Sequence, residues 1–166
     1  DHGRKADLIS LQSALDKTHL YVDQINPKQE KDTKWKEVIS LIHILDHAQR
    51  LHERCEEEEY RAKLVQRSPD LHEAHQQMIT TNTKIIHAIY EKRFSDAKKY
   101  ARKHTKKINK TMPPYRDMIA EKMAKDEITI LEGTSKLEAQ RWLSRVSYHI
   151  ARITYHMEKA ILYTSK

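Results

Sequence analysis

Glycine and proline are scarce in this chain, two and four among 166 residues. β-Sandwiches and barrels need many tight turns, and those turns draw on both residue types. A turn-rich β protein is therefore excluded. The single cysteine, Cys55, excludes an internal disulfide framework and fits a reducing compartment. No apolar run approaches the roughly 20 residues that span a bilayer, and no signal peptide is visible. Catalytic signatures are also missing: there is no Gly-rich phosphate loop, no nucleophile elbow and no HExxH. The chain opens on Asp1 rather than Met, which fits a domain cut from the soluble side of a membrane protein and equally a processed soluble protein.

What is present is an apolar share of 38% beside a charged share of 33%. That much apolar side chain separates the sequence from disorder, and the balance suits long amphipathic helices. The expected class is all-α. The formal net charge of +7, from 31 Lys and Arg against 24 Asp and Glu, favours anionic partners.

Leu8, Leu11, Leu15, Val22 and Ile25 recur at helical spacing, and Asn26-Pro27 ends that helix. The polar stretch NPKQEKDTK connects it to a second helix. This helix begins near Asp32 or Thr33, carries Val38, Leu41, Leu45, Ala48 and Cys55 on one face, and runs to about Gln66. Ser68-Pro69-Asp70 is the clearest helix start, with a cap, a proline and an acid for the dipole. The third helix is expected to bury Leu71, Met78, Ile85, Ile86 and Ile89. Phe94-Ser95-Asp96 starts a fourth with Ala97, Ala101, His104, Ile108 and Met112 inside. Pro113-Pro114 should kink or break it before Tyr115, Met118, Ile119 and Met123 resume the period. Gly133 should break the chain again. Ser135 with Glu138 forms a capping box for a last helix burying Ala139, Trp142, Val146, Ile150, Ile153, Met157 and Ile161. Long helices with short polar turns pack antiparallel. Residues 68–166 are thus expected as a complete three-helix bundle and residues 1–67 as a two-helix partial repeat, together one compact unit.

Three polar faces are candidates for function. His43, Asp46, His47 and Arg50 fall away from the apolar stripe of the second helix, on a solvent or partner side where Asp46 pairs with Arg50. His43 and His47 have the spacing of metal ligands, yet two ligands do not make a structural site. They also lack the Glu-x-x-His pairing of ferritin-like di-iron enzymes. On the last helix Arg141, Ser144, Arg145, Tyr148, Arg152 and Tyr155 line the side opposite the stripe, a row suited to an anion or an acidic partner. On the fourth helix Lys98, Lys99, Arg102, Lys103, Lys106, Lys107 and Lys110 cover the outer half, attractive to anionic lipid headgroups. No helix-turn-helix, zinc-finger or RNA-binding signature accompanies this basic face, so nucleic acid is not the expected partner. His75 and His104 sit on apolar stripes as hydrogen-bonded core residues. The Glu56–Glu59 run is read as a solvated segment.

LIHILDHAQRLHE (41–53) and RWLSRVSYHIARITYH (141–156) resemble the helix that ends each repeat of PhoU proteins, approximately L-E-R-I-G-D-H-A-x-N-I-A. The stretch from INKTMPPYRDMIAEKM through the final helix is similar to that family's order of elements. In PhoU proteins the motif's glutamate and aspartate, one turn apart, help bind metal clusters. Here Asp46, His47 and Ala48 stand at D-H-A, but Ile42 takes the glutamate position. In the second segment Arg145 and His149 match, while Ser144 and Tyr148 replace the carboxylates. The resemblance therefore implies a degenerate remnant at Asp46, His47 and His43, with no metal and no cofactor expected.

The incomplete first repeat looks most like the soluble C-terminal region of Na+/phosphate cotransporter family proteins. The implied function is a non-catalytic regulatory domain on the cytoplasmic side of the plasma (inner) membrane, docked on the membrane portion of its own transporter or another membrane protein. A free-standing PhoU-type regulator of phosphate uptake or signalling is the alternative. A metal-dependent helical-bundle enzyme is the reading from another class. The stripes of the first two helices need a cover, which the second bundle is expected to supply, with a homodimer through those helices as the other solution.

Overall fold

The computed structural model describes residues 2–25, 33–57 and 59–164. These form α1 (His2–Asp23), α2 (Thr33–Glu57), α3 (Glu59–Arg67), α4 (His72–Tyr90), α5 (Phe94–Ala124) and α6 (Ile130–Thr164), with a 3₁₀ turn over Pro69–Leu71. No strand occurs among the described residues. Of the connector expected over 26–34, residues 26–32 lie outside them and Thr33 and Lys34 open α2, and the helix expected to reach about Gln66 is described as α2 and α3 on either side of residue 58.

Helix α6 is the axis of the fold. At 35 residues it is about 50 Å long, and it packs against α2 and α3 on one side and α5 on the other. Side chains all around it are buried, including Ala139, Trp142, Leu143, Val146, Ser147, His149 and Thr154. The largest core joins α3, α4 and α6 through Val65, Leu71, Met78, Ala139, Trp142, Leu143 and Val146. A second, smaller core of Leu15, Val22, Val38 and Leu45 lies between α1 and α2. A third, of Ile85, Ala88, Ala97 and Ala101, joins α4 to α5.

Several sequence expectations are corrected. Pro113 and Pro114 lie inside α5 without ending it. Each removes one backbone donor, leaving Asn109 O and Lys110 O without the usual helical N–H, and the adjoining turn makes two side-chain bonds. The Thr111 hydroxyl donates to Ile108 O at 2.8 Å and Gln140 of α6 donates to Thr111 O at 3.4 Å. Beyond the prolines, Ile119 is fully buried and fixes the inner face.

Gly133 does not interrupt α6 either. The helix starts earlier, at a reciprocal capping box in which Thr129 N donates to Glu132 Oε2 at 2.9 Å and Glu132 N to Thr129 Oγ1 at 3.1 Å. Glu138, expected in a box with Ser135, instead binds Arg61 at 3.1 Å. Gly133 serves close packing: a Cβ there would stand 2.3 Å from Met123 Sδ.

Ser68 makes no side-chain cap, and its hydroxyl is buried without a partner. Asp70 turns to Lys136, 2.6 Å away, and that ammonium holds its carboxyl below the usual range. Leu11, Ile86 and Ile161, expected inside, are 48%, 53% and 43% exposed.

With so little glycine, two turns use side-chain-bearing residues in the left-handed region. Lys92 has φ 58° and Asp126 φ 55°. Arg93 N bonds to Ala88 O (2.7 Å) and Lys92 N to Ile89 O (2.9 Å), which is a Schellman closure, repeated at Glu127 and Asp126.

Candidate functional site

The polar face of α2 is divided: Asp46 and Arg50 are exposed to solvent as their spacing predicts, while half-buried His47 and exposed His43 border α6. The two helices run antiparallel. Glu37 accepts from the Thr164 hydroxyl at one end (3.1 Å), Trp142 Nε1 donates to Arg54 O further along (3.0 Å), and Arg61 of α3 reaches Glu138 beyond (3.1 Å). The apolar stripe of Val38, Leu41 and Leu45 is used instead to bind α1.

At the middle of this seam His47 Nδ1 lies 3.1 Å from His149 Nδ1. Two imidazole nitrogens at this distance need one N–H and one bare lone pair. A doubly protonated pair would aim two N–H groups at each other. Burial comes first in lowering the pKa of both rings; the Asp46 carboxylate acts the other way on each.

A second pair sits further along the same seam. His43 stacks on His156 with ring centroids 4.5 Å apart. Arg152 Nη2 lies 3.0 Å from His156 Nε2. Arginine has no lone pair to offer, so the guanidinium donates and Nε2 accepts. The ring proton of neutral His156 is then on Nδ1, a buried atom without a partner. Burial, followed by His43 and Arg152, pushes the His156 pKa down to about 4. This pair borders an open groove lined by Trp35, Lys36, Lys159 and Tyr163, with no carboxylate in its lining.

The candidate residues are therefore divided. His43 and His47 come together with His149 and His156, and the last two are contacts that sequence spacing on one helix does not reveal. Asp46 is held by Arg50 Nε at 3.1 Å, the pairing expected from their spacing. No group of three or more His, Cys, Asp or Glu among the described residues could hold a metal ion. Around the histidines stand Arg50, Arg54, Arg152 and Lys159, whose charge opposes a cation.

The arginine and tyrosine row of α6 is split. Arg141 and Arg145 are exposed and Tyr148 is 49% exposed, but Arg152 is drawn into the histidine seam. Ser144 donates to Asn109 of α5 at 2.9 Å. Tyr155 lies under both Arg152 and Lys159, each 4.9 Å from its ring centroid.

The basic face of α5 is outward, as its period predicts. Lys99, Arg102, Lys103, Lys106, Lys107 and Lys110 are exposed. Lys98 is turned aside to Glu158 of α6, and Lys107 approaches Glu73 of α4 at 3.9 Å. His104 is buried as expected, but its Nε2 has no partner, and His75 is half-buried.

One buried polar contact had no signal in the sequence. His52 is 4% exposed, and its Nε2 lies 2.8 Å from Leu8 O, tying α2 to α1. No protein-family model, curated protein or solved structure matches the chain.

Proposed function

We propose that the chain is a non-catalytic, PhoU-like regulatory domain of a Na+/phosphate cotransporter family protein, placed at the cytoplasmic face of the membrane and docked on the membrane part. One observation supports this above the others. The two segments that resemble the same PhoU helix, in α2 and α6, pack antiparallel, and His47 and His149, which hold the same motif position, meet at 3.1 Å. A duplicated unit paired about a local twofold places equivalent residues opposite each other. The offset of 102 residues between these histidines also makes Ser40 equivalent to Trp142 and Arg54 equivalent to His156. Trp142 donates to Arg54 O, and Ser40 and His156 line one groove, a placement in keeping with such a twofold. Internal duplication of this motif is the feature that the family resemblance implies.

A regulatory rather than catalytic role fits the chemistry of the seam. His47 and His149 engage each other, and His156 engages Arg152 and stacks on His43. The test is deletion of this segment from the protein that carries it, followed by sodium-dependent phosphate uptake in cells grown with scarce and abundant phosphate. Uptake should persist while its dependence on phosphate supply changes. Uptake with an unaltered response to supply would refute the proposal.

A further inference from the structure

We infer that the outer face of α5 is a docking surface for an anionic lipid bilayer, an inference that rests on the membrane placement proposed above. Lys99, Arg102, Lys103, Lys106 and Lys110 are exposed, and none is ion-paired with a carboxylate among the described residues. At about 100° per residue they share one arc of the helix, centred opposite Ala97, Ala101, His104 and Ile108. From first to last the row spans about 16 Å. Lys99 and Lys103, Arg102 and Lys106, and Lys106 and Lys110 each stand one turn apart, so like charges repel along the crest. An anionic surface would relieve that repulsion.

The shoulders of the row define what can occupy it. On one side Lys98 is neutralised by Glu158 of α6, and on the other Lys107 lies near Glu73 of α4. A helix seated in a DNA major groove brings phosphates along both shoulders, where these two carboxylates stand. No exposed aromatic interrupts the row to stack a base; Tyr100 is half-buried against the α4–α5 core. A flat sheet of acidic headgroups touches the crest alone, where all five cations are. Each cation near such a surface raises partitioning about fivefold.

The test is sedimentation of the full chain with vesicles of pure phosphatidylcholine and of three parts phosphatidylcholine to one part phosphatidylserine, at low and high salt. The chain should bind only the acidic vesicles, and salt should release it. The double variant K103Q/K106Q should lose roughly 25-fold in partitioning. K5Q/K17Q, with the same charge change on exposed positions of α1, should lose less than about twofold. Circular dichroism establishes that both variants keep the parent's helicity. Equal binding to both vesicle types, equal losses in the two variants, or tighter binding to a short DNA duplex than to acidic vesicles would overturn the inference. If vesicle binding fails while deletion of the domain still alters the response of uptake to phosphate, the lipid surface is wrong and the regulatory reading stands.

Discussion

Helix α2 makes two seams of opposite kind. Toward α1 it buries an apolar core of Leu15, Val22, Val38 and Leu45, bordered by hydrogen bonds from His52 to Leu8 O and from Arg4 to Cys55 O. Toward α6 it presents His43 and His47 to His149 and His156. The first seam is apolar at its centre, with His52 and Arg4 tying its edges to backbone carbonyls. The second depends on which imidazole nitrogen carries a proton, so chemistry as well as packing decides whether it closes. A polar helix face thus packs against its neighbour through paired and stacked histidines, with His156 Nδ1 left unpartnered, and it remains sensitive to pH.

The largest effect is expected where the α2–α6 seam meets the main core. Trp142 is 6% exposed and its indole donates to Arg54 O. Trp142→Ala should cost about 3–5 kcal/mol, measured by urea denaturation, and should free α2 and α3 together. A loss under about 1 kcal/mol would mean that the two parts are held elsewhere.

Next in size is acid sensitivity. His47, His149 and His156 have folded pKa values below the unfolded histidine value, that of His156 at about 4. The unfolded chain then binds more protons below about pH 6.5. Stability is therefore full above that point and falls as pH drops toward 4. His156 alone would contribute of the order of 3 kcal/mol. Denaturation midpoints across this range should fall in the parent and fall less steeply in His156→Gln. Parallel slopes in the two proteins would remove His156 as the cause.

The apolar seam should answer differently. Leu45→Ala should cost about 2 kcal/mol and leave the acid slope unchanged, since the paired histidines of the α2–α6 seam stay in place. Hydrogen exchange should quicken in α1 before α6, because α1 is joined to the rest mainly through α2.

The period of the apolar residues made the all-α class and the inward faces of α2 and α5 legible. Val38, Leu45, Ala97, Ala101, His104 and Ile108 are buried where their spacing places them. The second buried face of α2 and the encircled α6 were not legible, because a helical wheel marks only one stripe and the other is built of histidine, serine and threonine. His149 and His156 become contacts only once the antiparallel register is known. Of the kink or break expected at Pro113-Pro114, the break does not occur, and Gly133 does not interrupt α6. Thr129 and Glu132 cap α6 ahead of Gly133, and α5 runs on through the prolines to bury Ile119 beyond them.

The smallest effect tests a turn. Lys92 holds a left-handed conformation that costs a side-chain-bearing residue about 1 kcal/mol. Lys92→Gly should raise stability by about 0.5–1 kcal/mol, with both seams unaltered. A destabilised variant would show that the lysine side chain is needed there.

The polar seam itself is tested most directly by nitrogen-15 NMR of the histidine rings at neutral pH. His47, His149 and His156 should all be uncharged. His156 should carry its proton on Nδ1, and of His47 and His149 one should carry Nδ1–H while the other leaves Nδ1 bare. Imidazolium signals from His47 and His149 together, or bare Nδ1 atoms on both, would contradict a seam closed by shared neutral histidines.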